Sequence, residues 1–156
     1  MAQVKLTRTI DAPVADVWAA WDDYGGIWRF NPGLTGSHLI NGSEKTGLGA
    51  ERQCDLIDGK NYIQERIVEY IPERRMAVDI FHGTVPLKRA TATIDMKPHG
   101  AARTSLTFTL EFEPKMGLLG RMMLPLMRRQ FRRGLSDLVD ANKAYVETGA
   151  TVAQAA

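Results

Sequence analysis

One cysteine, Cys54, stands among 156 residues, so no internal disulfide can form and the chain suits a reducing compartment. The three histidines, His38, His82 and His99, have no metal-ligand spacing, and His99 sits in a Pro-Gly turn. No metal site is expected from them. The net charge of +2 is too small to argue for a nucleic-acid partner, and no strand interleaves aromatic with basic residues. No apolar run is long enough to span a bilayer. Met1-Ala2-Gln3-Val4-Lys5 lacks the charged-then-apolar layout of a secretory signal, so a cytoplasmic location is expected. Gly25-Gly26 and Gly47-Leu48-Gly49 lack the lysine and hydroxyl of a phosphate loop and read as turns. Nothing in these stretches asks for a cofactor.

What remains is ordinary for one globular domain with one core: 44% apolar and 24% charged residues. One domain is expected over residues 1–148, with a small-residue tail at 149–156. Val4, Leu6 and Ile10 alternate with polar residues as a half-buried strand, in which Arg8 falls on the apolar side. Asp11-Ala12-Pro13 then predicts a helix start with Asp11 as cap, and Val14, Val17, Trp18 and Trp21 share one helical face. A second short helical turn is expected at Ile27–Phe30 before Asn31-Pro32-Gly33. From Thr35 the period is two, in six strands separated by tight turns. The clearest runs over Arg103–Phe112, with Leu106, Phe108, Leu110 and Phe112 on one side.

From Met116 to about Tyr145 the period turns helical. Met127, Phe131, Leu135, Leu138, Val139 and Tyr145 form an apolar stripe, and Asn142 interrupts it. Arg128, Arg129, Arg132, Arg133, Asp137, Asp140, Lys143 and Glu147 form a charged, solvated face. The first half is apolar on nearly all sides, with Leu118, Leu119, Met122, Met123, Leu124 and Leu126 around Pro125. A kink or break is expected near Leu124, and Gly117 and Gly120 loosen the start. The strand order predicts an α+β architecture: a curved antiparallel sheet of about seven strands gripping one long C-terminal helix, with two short helices after the first strand.

Asp58-Gly59 is a strong two-residue hairpin signal, and it sets a register. Arg52 then faces Glu65, Cys54 faces Ile63 and Ala50 faces Ile67, all on the inward side. Buried charges need partners, so an inward Arg52–Glu65 ion pair is expected. It has three readings: a pair that fixes sheet register, a polar spot that orients a ligand head group, or acid-base chemistry by Glu65 with His82. The last needs Glu65 to face His82, which requires a two-residue turn at Glu73-Arg74. A three-residue turn points His82 outward.

Asp11-Ala12-Pro13 with Val17-Trp18, Gly47-Leu48-Gly49-Ala50-Glu51-Arg52, Glu65-Arg66-Ile67 and Phe112-Glu113-Pro114 before the long helix resemble the START-related polyketide cyclase/dehydrase superfamily (SRPBCC). This resemblance covers about residues 3–147 and implies the helix-grip fold, also found in plant pollen allergens. It implies an apolar ligand (lipid, quinone, polyketide or plant hormone) and, in some members, cyclase activity, without a shared catalytic motif. The expected ligand-binding set is Trp28, Phe30, Arg52, Cys54, Glu65, His82, Phe108, Met122, Met123, Leu126 and Phe131. Residues 116–127 and Trp28–Pro32 are expected to flank one opening. Three functions compete: carriage of an apolar small molecule, a cyclase, aromatase or dehydratase reaction, and docking on an anionic membrane or acidic protein through the arginine face. Either a monomer or a homodimer is compatible with them.

Overall fold

The period-two stretches pair into one antiparallel sheet, and the long apolar stripe lies on it as a helix. The computed structural model of the chain describes residues 1–152. Strand β1 (Ala2–Ile10) leads to α1 (Val14–Asp22) and a 3₁₀ segment (Tyr24–Arg29). A meander follows: β2 (Leu34–Leu39), β3 (Glu51–Leu56), β4 (Tyr62–Ile71), β5 (Arg75–Gly83), β6 (Leu87–Pro98) and β7 (Thr104–Pro114). Helix α2 (Gly117–Thr148) comes last. The sheet order is β1-β7-β6-β5-β4-β3-β2, so the first strand lies beside the last. This is the helix-grip α+β architecture that the strand order predicts.

Alternation decides which face of the sheet is covered. Leu106, Phe108, Leu110 and Phe112 of β7 are buried, as are Val4 and Ile10 of β1 and Ala90, Ala92, Ile94 and Met96 of β6. Each large apolar side chain taken from water contributes about 1.5–3 kcal/mol, so a face holding this many cannot stay wet. Val17, Trp18 and Trp21 of α1 and Leu138 and Val139 of α2 close the core from above. Asn142, the interruption in the α2 stripe, is fully buried and accepts a hydrogen bond from Trp21 Nε1 at 3.2 Å.

Several local expectations are corrected. No break forms at Pro125: α2 is one helix through it, and Leu124, Met127 and Phe131 keep that half packed on the core. Proline removes the bond to the carbonyl four residues back and crowds that turn, but the packed turns on either side carry the helix through. Gly120 does not loosen the helix start. It lies so close to the end of β7 that a Cβ would stand 2.3 Å from the Lys115 carbonyl oxygen. Asp11 does not cap α1. Pro13 takes that place, its carbonyl accepting from Asp16 and Val17, while Asp11 pairs with Arg103 at 3.0 Å.

The C-terminal half of the charged face of α2 is not simply solvated, because it clamps β1. Arg8 Nε donates to Asp140 at 2.8 Å and Arg8 Nη2 to Ser136 Oγ at 3.0 Å. Lys143 Nζ donates to the Thr9 carbonyl at 2.8 Å, and the Asp11 N–H donates to Glu147 at 2.7 Å. The inward Arg8 is thereby satisfied by the helix. Val152, in the stretch expected as a tail, donates its N–H to the Arg29 carbonyl at 2.9 Å. Residues 153–156 of that tail lie outside the described residues.

Candidate functional site

The Asp58-Gly59 loop is wider than a two-residue turn, since only Gly59 is left-handed and its N–H donates to the Leu56 carbonyl at 3.1 Å. The register is still the expected one: Arg52 pairs with Glu65 across the hairpin, Cys54 with Ile63. Both charged side chains point inward and are nearly sealed, Arg52 5% and Glu65 7% exposed. Arg52 Nε donates to Glu65 Oε2 at 2.6 Å, and Nη1 donates to the Tyr24 carbonyl at 3.0 Å. The guanidinium lies over the Tyr24 ring, 4.0 Å from its centroid. The 3₁₀ segment therefore lids the pair with one aromatic face and one carbonyl. Burial disfavours the guanidinium charge, and the neighbouring Glu65 more than restores it, so Arg52 stays a cation. Burial also raises the Cys54 thiol, whose Sγ lies 3.5 Å from Glu65 Oε2. Such a thiol is a small core group, not a nucleophile. Tyr24 is raised by burial too, and its hydroxyl has no hydrogen-bond partner among the described residues.

The step from Glu65 to His82 is overturned. The turn after β4 holds three residues, with Glu73 at φ 62°, so Ile71 pairs with Arg75. Two bulges then move the register, one at Val68 on β4 and one at Phe81 on β5. Glu65 meets Ile80, while His82 meets Gln64 on the outward face and approaches the Tyr62 hydroxyl at 3.3 Å. The second bulge closes on Gly83, where a Cβ would stand 2.7 Å from the Tyr62 carbonyl oxygen. A general acid and a general base at Glu65 and His82 cannot share a substrate from opposite faces of a sheet.

The aromatic candidates disperse. Phe30 is buried among Trp21 and Tyr145, with centroids at 5.1 and 5.4 Å. Trp28 is half-buried beside it, under the Arg29 guanidinium. Phe108 is core, 5.9 Å from Trp21, and Phe131 packs edge-on to Phe112 at 4.7 Å. Met122, Met123 and Leu126 face solvent. Tyr145 and Leu126 are about nineteen residues apart on one helix, roughly 28 Å at the standard rise. The Trp28–Pro32 segment and residues 116–127 thus sit at opposite ends of α2 and do not flank a common opening.

An opening does exist at the first half of α2. A cleft of about 930 Å³ lies between that half of the helix, the end of β7, the start of β1 and Lys88 of β6. Phe112, itself without exposed surface, closes the inner end, and Met1, Pro114, Met116, Leu118 and Leu124 supply the apolar lining. Lys88, Lys115, Arg121 and Arg128 line it as well, against the single acid Glu113, which pairs with Lys88 at 3.4 Å. The cleft is therefore apolar inside and cationic around it. Sequence reading placed an opening at residues 116–127, which supply Met116, Leu118, Arg121 and Leu124 here, but missed the contributions of Met1, Lys88, Phe112, Glu113, Pro114, Lys115 and Arg128. Leu124 carried the usable signal, an apolar position in register with Met127 and Phe131. Among the described residues no group of three or more His, Cys, Asp or Glu side chains could hold a metal.

A family model for polyketide cyclase/dehydrase and lipid transport proteins matches residues 1–147. Among solved structures, the chain is similar to a protein from Thermus thermophilus at 19% identity, TM-score 0.78, over 93% of this chain and 97% of that one. A START superfamily protein from Mycobacterium smegmatis aligns at 17% identity, TM-score 0.77, over 93% and 97%. The Zhui aromatase/cyclase from a Streptomyces species aligns at 20% identity, TM-score 0.70, over 97% and 99%. Likenesses at these identities show the fold. No curated protein matches the chain.

Proposed function

We propose a function from one premise: this chain belongs to the polyketide cyclase/dehydrase and lipid transport family. It binds or carries an apolar small molecule, of the lipid, quinone or polyketide kind, between the sheet and the first half of α2. The observation that carries this reading is the open cleft of about 930 Å³ with its apolar lining. Its size lies in the range of small-molecule sites, which are typically about 300–1,000 Å³. The cations around it favour a ligand with an apolar body and a polar or anionic end.

Catalysis on a polyketide-like substrate is the weaker reading. Glu65 is engaged by Arg52 and sealed under Tyr24, His82 faces the other side of the sheet, and neither lines the cleft. The Arg52–Glu65 pair serves as a structural lock on the β3–β4 register.

Native mass spectrometry of the protein purified from its own host tests the binding reading. The expected result is an apolar adduct that denaturation releases and that Leu124→Trp, which fills the cleft, removes. An adduct-free protein, or an adduct indifferent to Leu124→Trp in a folded variant, would overturn it.

A further inference from the structure

We propose that the first half of α2 is a docking face for an anionic membrane surface. Leu118, Leu119, Met122, Met123 and Leu126 are all exposed, Leu118 by 78% and Met122 by 79%. Their spacings of three and four put Leu119, Met122, Met123 and Leu126 along one side of the helix. Leu124, Met127 and Phe131 occupy the other side and pack on the core. The exposed set is thus surplus to the fold. Five adjoining large apolar side chains form the kind of patch that a solvated monomer rarely keeps uncovered.

Charge decides the occupant. From Lys115 to Ser136 the chain holds six cations, Lys115, Arg121, Arg128, Arg129, Arg132 and Arg133, and no acidic residue. Among the described residues none of the six forms a salt bridge. Leu126, Arg129, Gln130 and Arg133 border one shallow hollow with Asp137 at its far end, so arginines continue the apolar side along the helix. Apolar side chains beside guanidinium groups match the two layers of a bilayer boundary: acyl chains below, phosphates above. A second copy of this chain fits poorly, because joining two such faces brings Arg129 and Arg133 of one copy against those of the other with no acid between Lys115 and Ser136 to pair them. Among the described residues no helix is long and apolar enough to cross a membrane, so the contact proposed is peripheral, with α2 lying in the interfacial plane. Lys115, Leu118, Arg121 and Arg128 line the cleft, whereas Leu119, Met122, Met123, Leu126, Arg129 and Arg133 do not, so the docking face stands even if the cleft binds nothing.

Cosedimentation of the full chain with phosphatidylcholine vesicles, with and without phosphatidylglycerol, tests it. Binding is expected to the mixed vesicles only and to fall as salt is raised. Arg129→Gln with Arg133→Gln should weaken it about fivefold per charge removed. Met122→Glu with Leu126→Glu should abolish it while leaving the melting temperature unchanged, since both side chains are exposed. Three results would overturn the proposal: no binding to anionic vesicles, equal binding by wild type and both variants, or a wild-type dimer that Met122→Glu with Leu126→Glu makes monomeric.

Discussion

Replacing Glu65 with alanine leaves the Arg52 guanidinium in place without a carboxylate, in a site 5% exposed. Breaking a buried pair from one side typically destabilises by about 3–5 kcal/mol. Here Arg52 keeps two other stabilising contacts. Its bond to the Tyr24 carbonyl belongs to the charge-assisted class, worth about 1.5–3 kcal/mol, and the desolvated ring beneath it adds up to about 2 kcal/mol. The loss should therefore fall at the low end, about 3 kcal/mol. In a domain of this size that lowers Tm by roughly 6–12 °C. Urea unfolding and calorimetry read the two quantities independently. Arg52→Met combined with Glu65→Leu should recover to within about 1 kcal/mol of wild type, because hydrophobic replacement of a whole buried pair is often neutral. A loss below about 1 kcal/mol in Glu65→Ala, with an unchanged denaturant slope, would refute the reasoning. It would mean that solvent reaches Arg52 as soon as its partner is gone.

Two glycines of α2 should respond in opposite directions to alanine. At Gly120 the added methyl meets the Lys115 carbonyl, and over-packing of this sort costs about 1–3 kcal/mol, whereas nothing lies within 4 Å at Gly134, where helix propensity should add up to about 1 kcal/mol. Equal effects in denaturant titrations would show that the helix start is not seated on β7 as described. Acid should weaken the fold through carboxylates held below their ordinary values. Asn41 and Arg66 hold Glu51 below 4.5, the N–H groups of Asn61 and Lys60 hold Asp58 below 3.8, and Lys143 with the Asp11 N–H holds Glu147 below 4.5. Each binds its proton more tightly when unfolded. Its stabilisation is thus present above the ordinary value and is lost as pH falls through the lowered folded value. Unfolding midpoints should fall as pH drops below 4.5, and Asp58→Asn should flatten part of that fall. A pH profile identical to wild type would remove Asp58 from the account.

What was legible in the chain followed from periods and from one turn. Leu106, Phe108, Leu110 and Phe112 alternate without a fault over β7, so the strand and its inward face could be read directly. Asp58-Gly59 leaves one comfortable register, and the Arg52–Glu65 contact followed by counting. The next strand pair defeated counting because Val68 and Phe81 carry no mark of a bulge. Both are ordinary strand residues, and each bulge moves every later partner by one. Arg8 was visible as an exception, but its partners Ser136 and Asp140 lie more than 120 positions away, and no local pattern reports such a distance. The excess of apolar residues at 118–126 was plain. Whether it lined a cavity or faced outward depended on how the helix was rotated, which Gly120 fixes through contact with the end of β7.

The placing of β1 beside β7 has a consequence for the making of the molecule. Its partners lie between 94 positions away, Ile10 with Thr104, and 110 positions away, Ala2 with Phe112. Each turn of the meander joins neighbours as soon as both strands exist, whereas β1 has no strand to join until β7 has been synthesised. At the rate of ribosomes, about 5–20 residues per second, that wait is of the order of ten seconds. Throughout it Val4, Leu6 and Ile10 lack both their strand partner and the helix that later clamps Arg8 and Thr9. Closing so long a loop adds only a logarithmic entropy cost to stability, but it places the slow event at the end of folding. The strand made first can be seated only after β7 has followed it out.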